Sequence, residues 1–316
     1  MKNVAVIGGG TGVFTVLVGL KDYPYHLLAI VSIADDGGSS RILREDFGIL
    51  PPGDIRRALI ALSSASPVLT KLFSYRFKDG NNLKGHSFGN LFLTALERIT
   101  KDFSSAIEEA GKILNIKGEV IPVSLENARL FAQLENGYLV VGETNIDIPK
   151  HDPNLKIEKV FLNPRVKANP KALKALQKAD AIILGPGDLY SSIIPNLLVD
   201  GIPQAIKQSK AKKIYICNVM TKYGETNNFT VEDFCREIEK YLGKNVIDYV
   251  IINIEKISKK NLKKYSKERA QPVELRDEGF FKERKYKLIK APLLRKTQFL
   301  RHDPHKLAKI LADIID

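Results

Sequence analysis

Short, uninterrupted runs of apolar residues, each followed by a glycine-rich or polar loop, restrict the fold of this chain more than any other feature. Continuous apolar runs are typical of strands buried on both faces of a parallel sheet. Amphipathic helical patterns separate the runs, and this alternation predicts a doubly wound sheet. We therefore expect an α/β protein with a Rossmann-like, mostly parallel sheet and helices on both faces. The runs lie at 3–7, 27–34, 180–184, 213–218 and 248–253.

The stretch 117–165 departs from this alternation. It contains strand-like runs, the first at 119–122, without helical patterns between them. Asn136-Gly137 is a hairpin turn signal because both residues accept a positive φ. We predict a small antiparallel β insert at 117–165 within one Rossmann-like domain that covers 1–316, since no linker or internal repeat divides the chain.

Composition excludes several classes of protein. Hydrophobic residues make up 44% and charged residues 27% of the 316 residues, which excludes a disordered or fibrous protein. No apolar run approaches the roughly 18 residues that span a membrane, and no secretion signal precedes the first strand, so we expect a cytoplasmic protein. Cys217 and Cys235 are expected to be small core residues.

Positive charge is concentrated near the C-terminus. The net charge is +13, and the segment 256–316 holds 18 Lys and Arg against 8 Asp and Glu. Such a segment indicates an anionic partner, or else a solvated lysine-rich face. Nucleic acid is disfavoured as that partner because aromatic residues do not alternate regularly with the lysines.

Four loops follow the predicted strands at the edge where open α/β sheets bind ligands, namely 8–12, 34–40, 185–192 and 218–226. Glycine lets the backbone approach an oxyanion, and amides at a helix N-terminus then converge on phosphate oxygens. Ser and Thr hydroxyls add donors. The loops therefore predict an anionic ligand, in the first place a nucleotide or diphosphate. Their candidate ligand-binding residues are Gly9, Gly10, Thr11, Gly12, Gly37, Gly38, Ser39, Gly185, Pro186, Gly187, Ser191 and Ser192.

Asp35 and Asp36 end the second strand at the distance expected of the acid in a dinucleotide-binding fingerprint. Position 13, however, is valine where that fingerprint has glycine. The two aspartates are interpreted as part of a second anion loop or as a carboxylate pair for Mg²⁺, which is the cofactor that this loop suggests.

Two helix starts carry further candidates. Asp54 follows Pro-Pro-Gly and is expected to cap a helix, and Arg56 is positioned to pair with phosphate or carboxylate. His86 opens the next helix beside glycine as a candidate base, phosphate ligand or metal ligand, and Asn90 follows in the same motif. No Ser-His-Asp triad is recognisable in the sequence. The catalytic candidates are therefore Asp35, Asp36, Asp54 and His86.

Taken together, the motifs resemble those of the YvcK-type gluconeogenesis factor family, within the CofD-like UPF0052 superfamily of the 2-phospho-L-lactate transferases. The resemblance covers essentially the whole chain. The motifs are G-G-G-T-G at 8–12, A-D-D-G-G-S-S at 34–40, P-P-G-D-I-R at 51–56, G-H-x-x-G-N-L at 85–91, G-P-G-x-L-Y-x-S-I-I-P-N-L-L at 185–198, N-V-M-T at 218–221 and L-R-H-D at 300–303.

The resemblance implies a cytoplasmic bacterial protein that binds UDP-sugars, UDP-N-acetylglucosamine in particular. It also implies a role in cell shape and cell-wall synthesis on gluconeogenic carbon sources, with a protein of cell-wall synthesis as a partner. Asn218 and Thr221 would line the crevice, Tyr265 would stack on uracil, and Arg301 would pair with the diphosphate. The basic segment 256–316 would thus contribute to the ligand site. A homo-oligomer is compatible with the sequence.

The chain also departs from the family pattern. Asp188 stands where members often have Ser or Thr, Lys222-Tyr223 replaces a more usual Gln-Pro, and Arg41 replaces a glycine. Asp188 brings negative charge beside a predicted phosphate loop, which weakens phosphate binding there or implies a metal. Three functions stay open: a UDP-sugar-binding regulator without turnover, a Mg²⁺-dependent phospho-group transferase, and an NAD-linked oxidoreductase.

Overall fold

The computed structural model describes residues 1–295 and 299–316, so residues 296–298 of the basic segment lie outside the described part. The strands are β1 (Lys2–Gly8), β2 (Tyr25–Val31), β3 (Glu119–Pro122), β4 (Arg129–Leu134), β5 (Leu139–Val141), β6 (Ile157–Asn163), β7 (Ala181–Leu184), β8 (Lys212–Ile216), β9 (Tyr249–Asn253) and β10 (Lys287–Ala291). The helices are α1 (Gly10–Leu20), α2 (Gly38–Phe47), α3 (Gly53–Leu62), α4 (Pro67–Ser74), α5 (Phe88–Thr100), α6 (Phe103–Ile113), α7 (Glu143–Asp147), α8 (Pro170–Lys178), α9 (Ile194–Leu197), α10 (Ile202–Gln208), α11 (Val231–Leu242), α12 (Lys259–Lys267), α13 (Gly279–Glu283) and α14 (Pro304–Ile315), with a π-helical turn at Leu189–Ile193.

Seven strands form one parallel sheet in the order β10-β9-β8-β7-β1-β2-β3. The chain runs outward from β1 to β3, returns to place β7 against the other side of β1, and then runs outward to β10. The switch point of the sheet therefore lies between β1 and β7, where a crevice opens at the carboxyl ends. Residues 4–7 of β1 are fully buried, as a strand covered on both faces requires. The predicted doubly wound α/β fold is confirmed.

A second, three-stranded antiparallel sheet has the order β5-β4-β6. The predicted turn at Asn136-Gly137 connects β4 to β5, and Gly137 adopts a φ of +84° there. The prediction that residues 119–122 belong to this sheet is wrong, because β3 pairs in parallel with β2 at the edge of the main sheet. Four apolar residues fit an edge strand of either sheet, so the pattern could not distinguish them.

The two cysteines are buried and free, as predicted for small core residues. Within residues 1–295 and 299–316, no helix is long and apolar enough to cross a membrane.

Candidate functional site

A cavity of about 1100 Å³ opens at the switch point, where the loops after β1, β2, β7 and β8 meet. The antiparallel insert adds a wall through α7, and the C-terminal segment adds another through residues 265–270 and 300–302. The predicted site residues that line the cavity are Gly9, Gly10, Thr11, Gly12, Asp35, Gly37, Gly38, Asp54, Pro186, Gly187, Ser191, Ser192, Asn218, Thr221, Tyr265 and Arg301. The structure thus brings residues from most of the chain's motifs to one space.

The loops after β1 and β7 touch each other across the switch point. A Cβ placed on Gly12 would lie 1.7 Å from the carbonyl oxygen of Pro186, so this contact requires glycine. Helix α1 begins at Gly10, whose φ of +62° suits glycine, and its N-terminus therefore faces the cavity. The positive end of the helix dipole favours an anion at that position.

Besides Nε2 of His302, two side-chain oxygen atoms of residues that line the cavity are buried without a hydrogen-bond partner among the described residues. They are the hydroxyl oxygen of Ser191, a residue only 4% exposed, and the side-chain oxygen of Asn218. Buried polar atoms normally have partners, because leaving one unpaired costs about 1–3 kcal/mol. These two atoms are therefore suited to bind a polar ligand.

Four predicted candidates lie behind the cavity wall instead of lining it. Asn90 donates to the hydroxyl of Ser39 over 3.2 Å and accepts from Nε of Arg56 over 2.9 Å. His86 Nδ1 lies 3.1 Å from the same Ser39 hydroxyl. All four residues are buried, so their role in the structure is to fix the loop after β2. Gly185 also lies outside the lining and adopts a φ of +77° in its loop.

Asp35 and Asp36 do not face the same space. Asp35 lines the cavity, and its oxygens accept from the amide of Gly37 over 3.0 Å and from the hydroxyl of Ser40 over 2.6 Å. Asp36 accepts from the amide of Thr144 over 2.8 Å and so anchors α7 of the insert. The two carboxylates predicted to bind one Mg²⁺ together therefore lie apart, with Asp35 at the cavity and Asp36 against α7.

Asp54 does not cap α3, contrary to the prediction. The helix begins at Gly53, and the Asp54 carboxylate turns to the cavity, where it accepts from the backbone amide of Gly10 and lies 3.6 Å from the Arg57 guanidinium. Burial, reinforced by the nearby charge of Asp35, raises the pKa of Asp54 to about 7. Asp54 can therefore exchange a proton near neutral pH.

Sequence reasoning missed Glu143 entirely. This residue opens α7 in the insert and lines the cavity more than 80 positions from the motif that holds Asp54. Burial, together with the charge of Asp35 and other acids, raises the pKa of Glu143 to about 9. No local signal marks it, because only the packing of the insert brings it to the site.

An ion cluster forms the cavity wall on the β7–β8 side. The Lys222 ammonium contacts carboxylates of Asp147, Asp188 and Glu225, at 3.0 Å from Asp188 and 3.2 Å from Glu225. Two of these residues, Asp188 and Lys222, are among the departures from the family pattern, and they pair with each other. Burial raises the pKa of Glu225 to about 8 even though Lys222 opposes the shift.

The C-terminal segment closes the cavity with an aromatic ring and an arginine. Tyr265 lies on α12, and its hydroxyl accepts from the amide of Leu300 over 2.9 Å. This bond holds the segment that carries Arg301 against the helix. Both predicted residues line the cavity.

The sheet order and the cavity define an α/β protein with a Rossmann-like topology and a crevice at the switch point. Comparison with known proteins identifies it further. The profile of the family described as 2-phospho-L-lactate transferase CofD matches residues 4–294, and the chain belongs to that family.

Individual relatives confirm the resemblance seen in the motifs. The chain is 48% identical to a gluconeogenesis factor of Halalkalibacterium halodurans over 273 residues, which are 86% of this chain and 84% of the relative. It is 42% identical to the gluconeogenesis factor of Bacillus subtilis over 315 residues, covering 99% of this chain and 98% of the relative. A crystal structure of a UPF0052 family member from Bacillus halodurans superposes with a TM-score of 0.93 at 44% identity and covers 98% of this chain and 99% of that one.

Proposed function

We propose that this protein binds a UDP-sugar, UDP-N-acetylglucosamine in particular, and acts as a cytoplasmic regulator of cell-wall synthesis and cell shape during growth on gluconeogenic carbon sources. The observation that carries the proposal is the contact of two glycine loops at the mouth of one large cavity. The choice of UDP-sugar and the regulatory role rest on the resemblance to the gluconeogenesis factors, since the loops themselves select only an anion.

The cavity walls offer separate groups to the diphosphate and to the uracil of the ligand. The N-terminus of α1 and the hydroxyl of Ser191 suit the diphosphate, because amides and hydroxyls there can donate to its oxygens. Tyr265 offers a ring face for uracil, and Arg301 offers two parallel donors for a phosphate. The volume of about 1100 Å³ lies above the range of 300–1,000 Å³ that is usual for small-molecule sites.

Regulation without turnover fits the placement of the polar residues. The contact between Ser39 and His86 lies behind the wall, so this pair does not present a nucleophile to the cavity. The regulator would then transmit ligand occupancy to a partner protein through a change at its surface.

Mg²⁺-dependent transfer of a phospho-group is the second candidate function. It is favoured by the half-buried carboxyl groups of Asp54 and Glu143, whose raised pKa values allow proton transfer near neutral pH. The carboxylates of Asp35 and Asp54 line the cavity and suit the oxygen preference of Mg²⁺, whereas Asp36 does not line the cavity. Bound there, the ion would neutralise phosphate charge.

Calorimetric titration with UDP-N-acetylglucosamine, with GDP and NAD as controls and product analysis of each mixture, tests the proposal. We expect selective micromolar binding, roughly −8 kcal/mol, with no product over hours with or without Mg²⁺. Tyr265→Ala and Arg301→Ala should each weaken binding at least tenfold, while Lys260→Ala on an exposed part of α12 should not. Product release would establish the transferase instead, and binding of GDP or NAD without UDP-N-acetylglucosamine would refute the UDP-sugar proposal.

A further inference from the structure

The Lys222 ammonium occupies a space whose dimensions suit a divalent cation. One carboxylate oxygen from each of Asp147, Asp188 and Glu225 lies within 4.8 Å of the other two. The Lys222 nitrogen contacts all three residues. Compact sets of three carboxylates are otherwise typical of bound Ca²⁺ or Mg²⁺, because carboxylates this close repel each other strongly unless a positive charge lies among them.

The ammonium is held in place by the fold. The backbone amide of Lys222 donates to the Thr226 hydroxyl over 2.9 Å, and the preceding amide of Thr221 donates to the carbonyl of Gln271 over 2.7 Å. The Glu225 side chain is fully buried and that of Lys222 is 29% exposed. Lys222 is therefore a fixed charge of the cavity wall, unlike a surface lysine that explores many rotamers.

The cavity needs such a charge, because its lining is acidic in a basic protein. Six acidic side chains line it, against the cations Arg57, Lys222 and Arg301. The acidic residues are Asp35, Asp54, Glu143, Asp147, Asp188 and Glu268. Asp188 directly follows the glycine loop after β7. An anionic ligand bound in that loop would therefore be repelled by the carboxylate cluster unless a positive charge lies beside it.

We propose that Lys222 is a built-in counter-cation that takes the place of a divalent ion on the β7–β8 side of the cavity. Its single positive charge offsets part of the negative charge of the carboxylates on α7 and on the two loops, and it lets an anionic ligand bind beside them without a metal on that side. The statement about the ligand rests on the proposed function, whereas the statement about the ion position does not.

Counting bound Mn²⁺ by electron paramagnetic resonance, without nucleotide, tests the ion position. Lys222→Met should bind one more Mn²⁺ per chain than the wild type, because the three carboxylates are then free to ligate it. Lys222→Arg and the control Lys210→Met, which removes an exposed lysine before β8, should match the wild type. Adding Asp188→Asn to Lys222→Met should abolish the extra ion.

Folding of the variant gives a second readout. The thermal midpoint of Lys222→Met should rise with Mn²⁺ more than that of the wild type, and a variant that folds only with Mn²⁺ also supports the inference. An unchanged Mn²⁺ count, or a variant that no divalent cation stabilises, overturns it.

Titration with UDP-N-acetylglucosamine tests the statement that Lys222 helps an anionic ligand to bind. In EDTA, Lys222→Met should bind at least tenfold more weakly than the wild type, and Mn²⁺ should restore most of the loss. Equal binding by both proteins in EDTA overturns the counter-cation role. If the wild type itself binds no UDP-sugar while the Mn²⁺ count changes as expected, the proposed function fails and the ion position stands.

Discussion

Replacing Gly12 with alanine should separate the two loops that meet at the switch point. Gly12 lies in the first turn of α1 without a positive φ, so helix propensity alone predicts that alanine stabilises the protein by up to about 1 kcal/mol. The added Cβ, however, would lie 1.7 Å from the Pro186 carbonyl oxygen, whereas ordinary contact begins at 3.4 Å. The loops must therefore move apart by about 1.7 Å. Overpacking of this kind costs about 1–3 kcal/mol of stability. A misplacement of about 1 Å can lower the rate of a catalytic site roughly 100-fold, and we expect a comparable loss of affinity at this binding site.

Urea denaturation and calorimetric titration with UDP-N-acetylglucosamine measure the two effects. We expect Gly12→Ala to be less stable than the wild type by about 1–3 kcal/mol and to bind at least ~100-fold more weakly. Gly48→Ala is the matched control, because Gly48 ends α2 with a φ of +70° and an added Cβ there meets no atom within 4 Å. That control should lose about 1 kcal/mol and keep full binding. If Gly12→Ala is as stable as the wild type and binds normally, the contact of the two loops does not build the site.

Three further predictions concern single residues in the cavity wall. Because the folded-state pKa of Asp54 is raised from 3.8 to about 7, its stabilising effect is present at low pH and is lost as the pH rises from about 4 to 7. Urea denaturation at pH 4.5 and 7.5 should therefore show Asp54→Asn gaining stability relative to the wild type at the higher pH, and a constant difference would contradict the assignment. Burial lowers the pKa of His302 from 6.5 to about 4, so the stability that the neutral imidazole contributes is lost as the pH falls through this range. In the same assay, His302→Gln should therefore lose less stability than the wild type between pH 6.5 and 4. Tyr265→Phe keeps the ring but removes the acceptor for the Leu300 amide, so we expect a loss of about 1 kcal/mol in stability and weaker binding than the wild type by calorimetry, though stronger than that of Tyr265→Ala.

The sheet could be predicted from the sequence because its central strands are buried on both faces and carry little else than apolar residues. The glycine loops could be located for a related reason, since the carboxyl ends of parallel strands meet at one edge. Strand β3 could not be assigned, because four residues at an edge show no period that distinguishes the two sheets. The predicted cap at Asp54 is wrong because the sequence Pro-Pro-Gly-Asp is compatible with a carboxylate that faces either the helix or the cavity.

The acids of the insert could not be predicted, because long-range packing brings them to the site. Glu143 and Asp147 lie on a helix of five residues between two strands of the small sheet. Nothing in the local sequence shows that this helix faces the loops after β2 and β7. Asp188 and Lys222 did leave a signal, since both depart from the family pattern, but only the structure shows that they form a pair.

Hydrogen exchange measured by mass spectrometry, with and without UDP-N-acetylglucosamine, tests the central claim most directly because it locates the ligand. The account predicts slower exchange in residues 9–15 and 187–192, where amides face the diphosphate, and in 265–270 of the C-terminal wall. A second cavity, of about 490 Å³, lies between α6 and β3 and provides an internal comparison. Protection confined to residues 104–122 around that second cavity, or no protection at saturating ligand, would contradict a UDP-sugar site at the switch point.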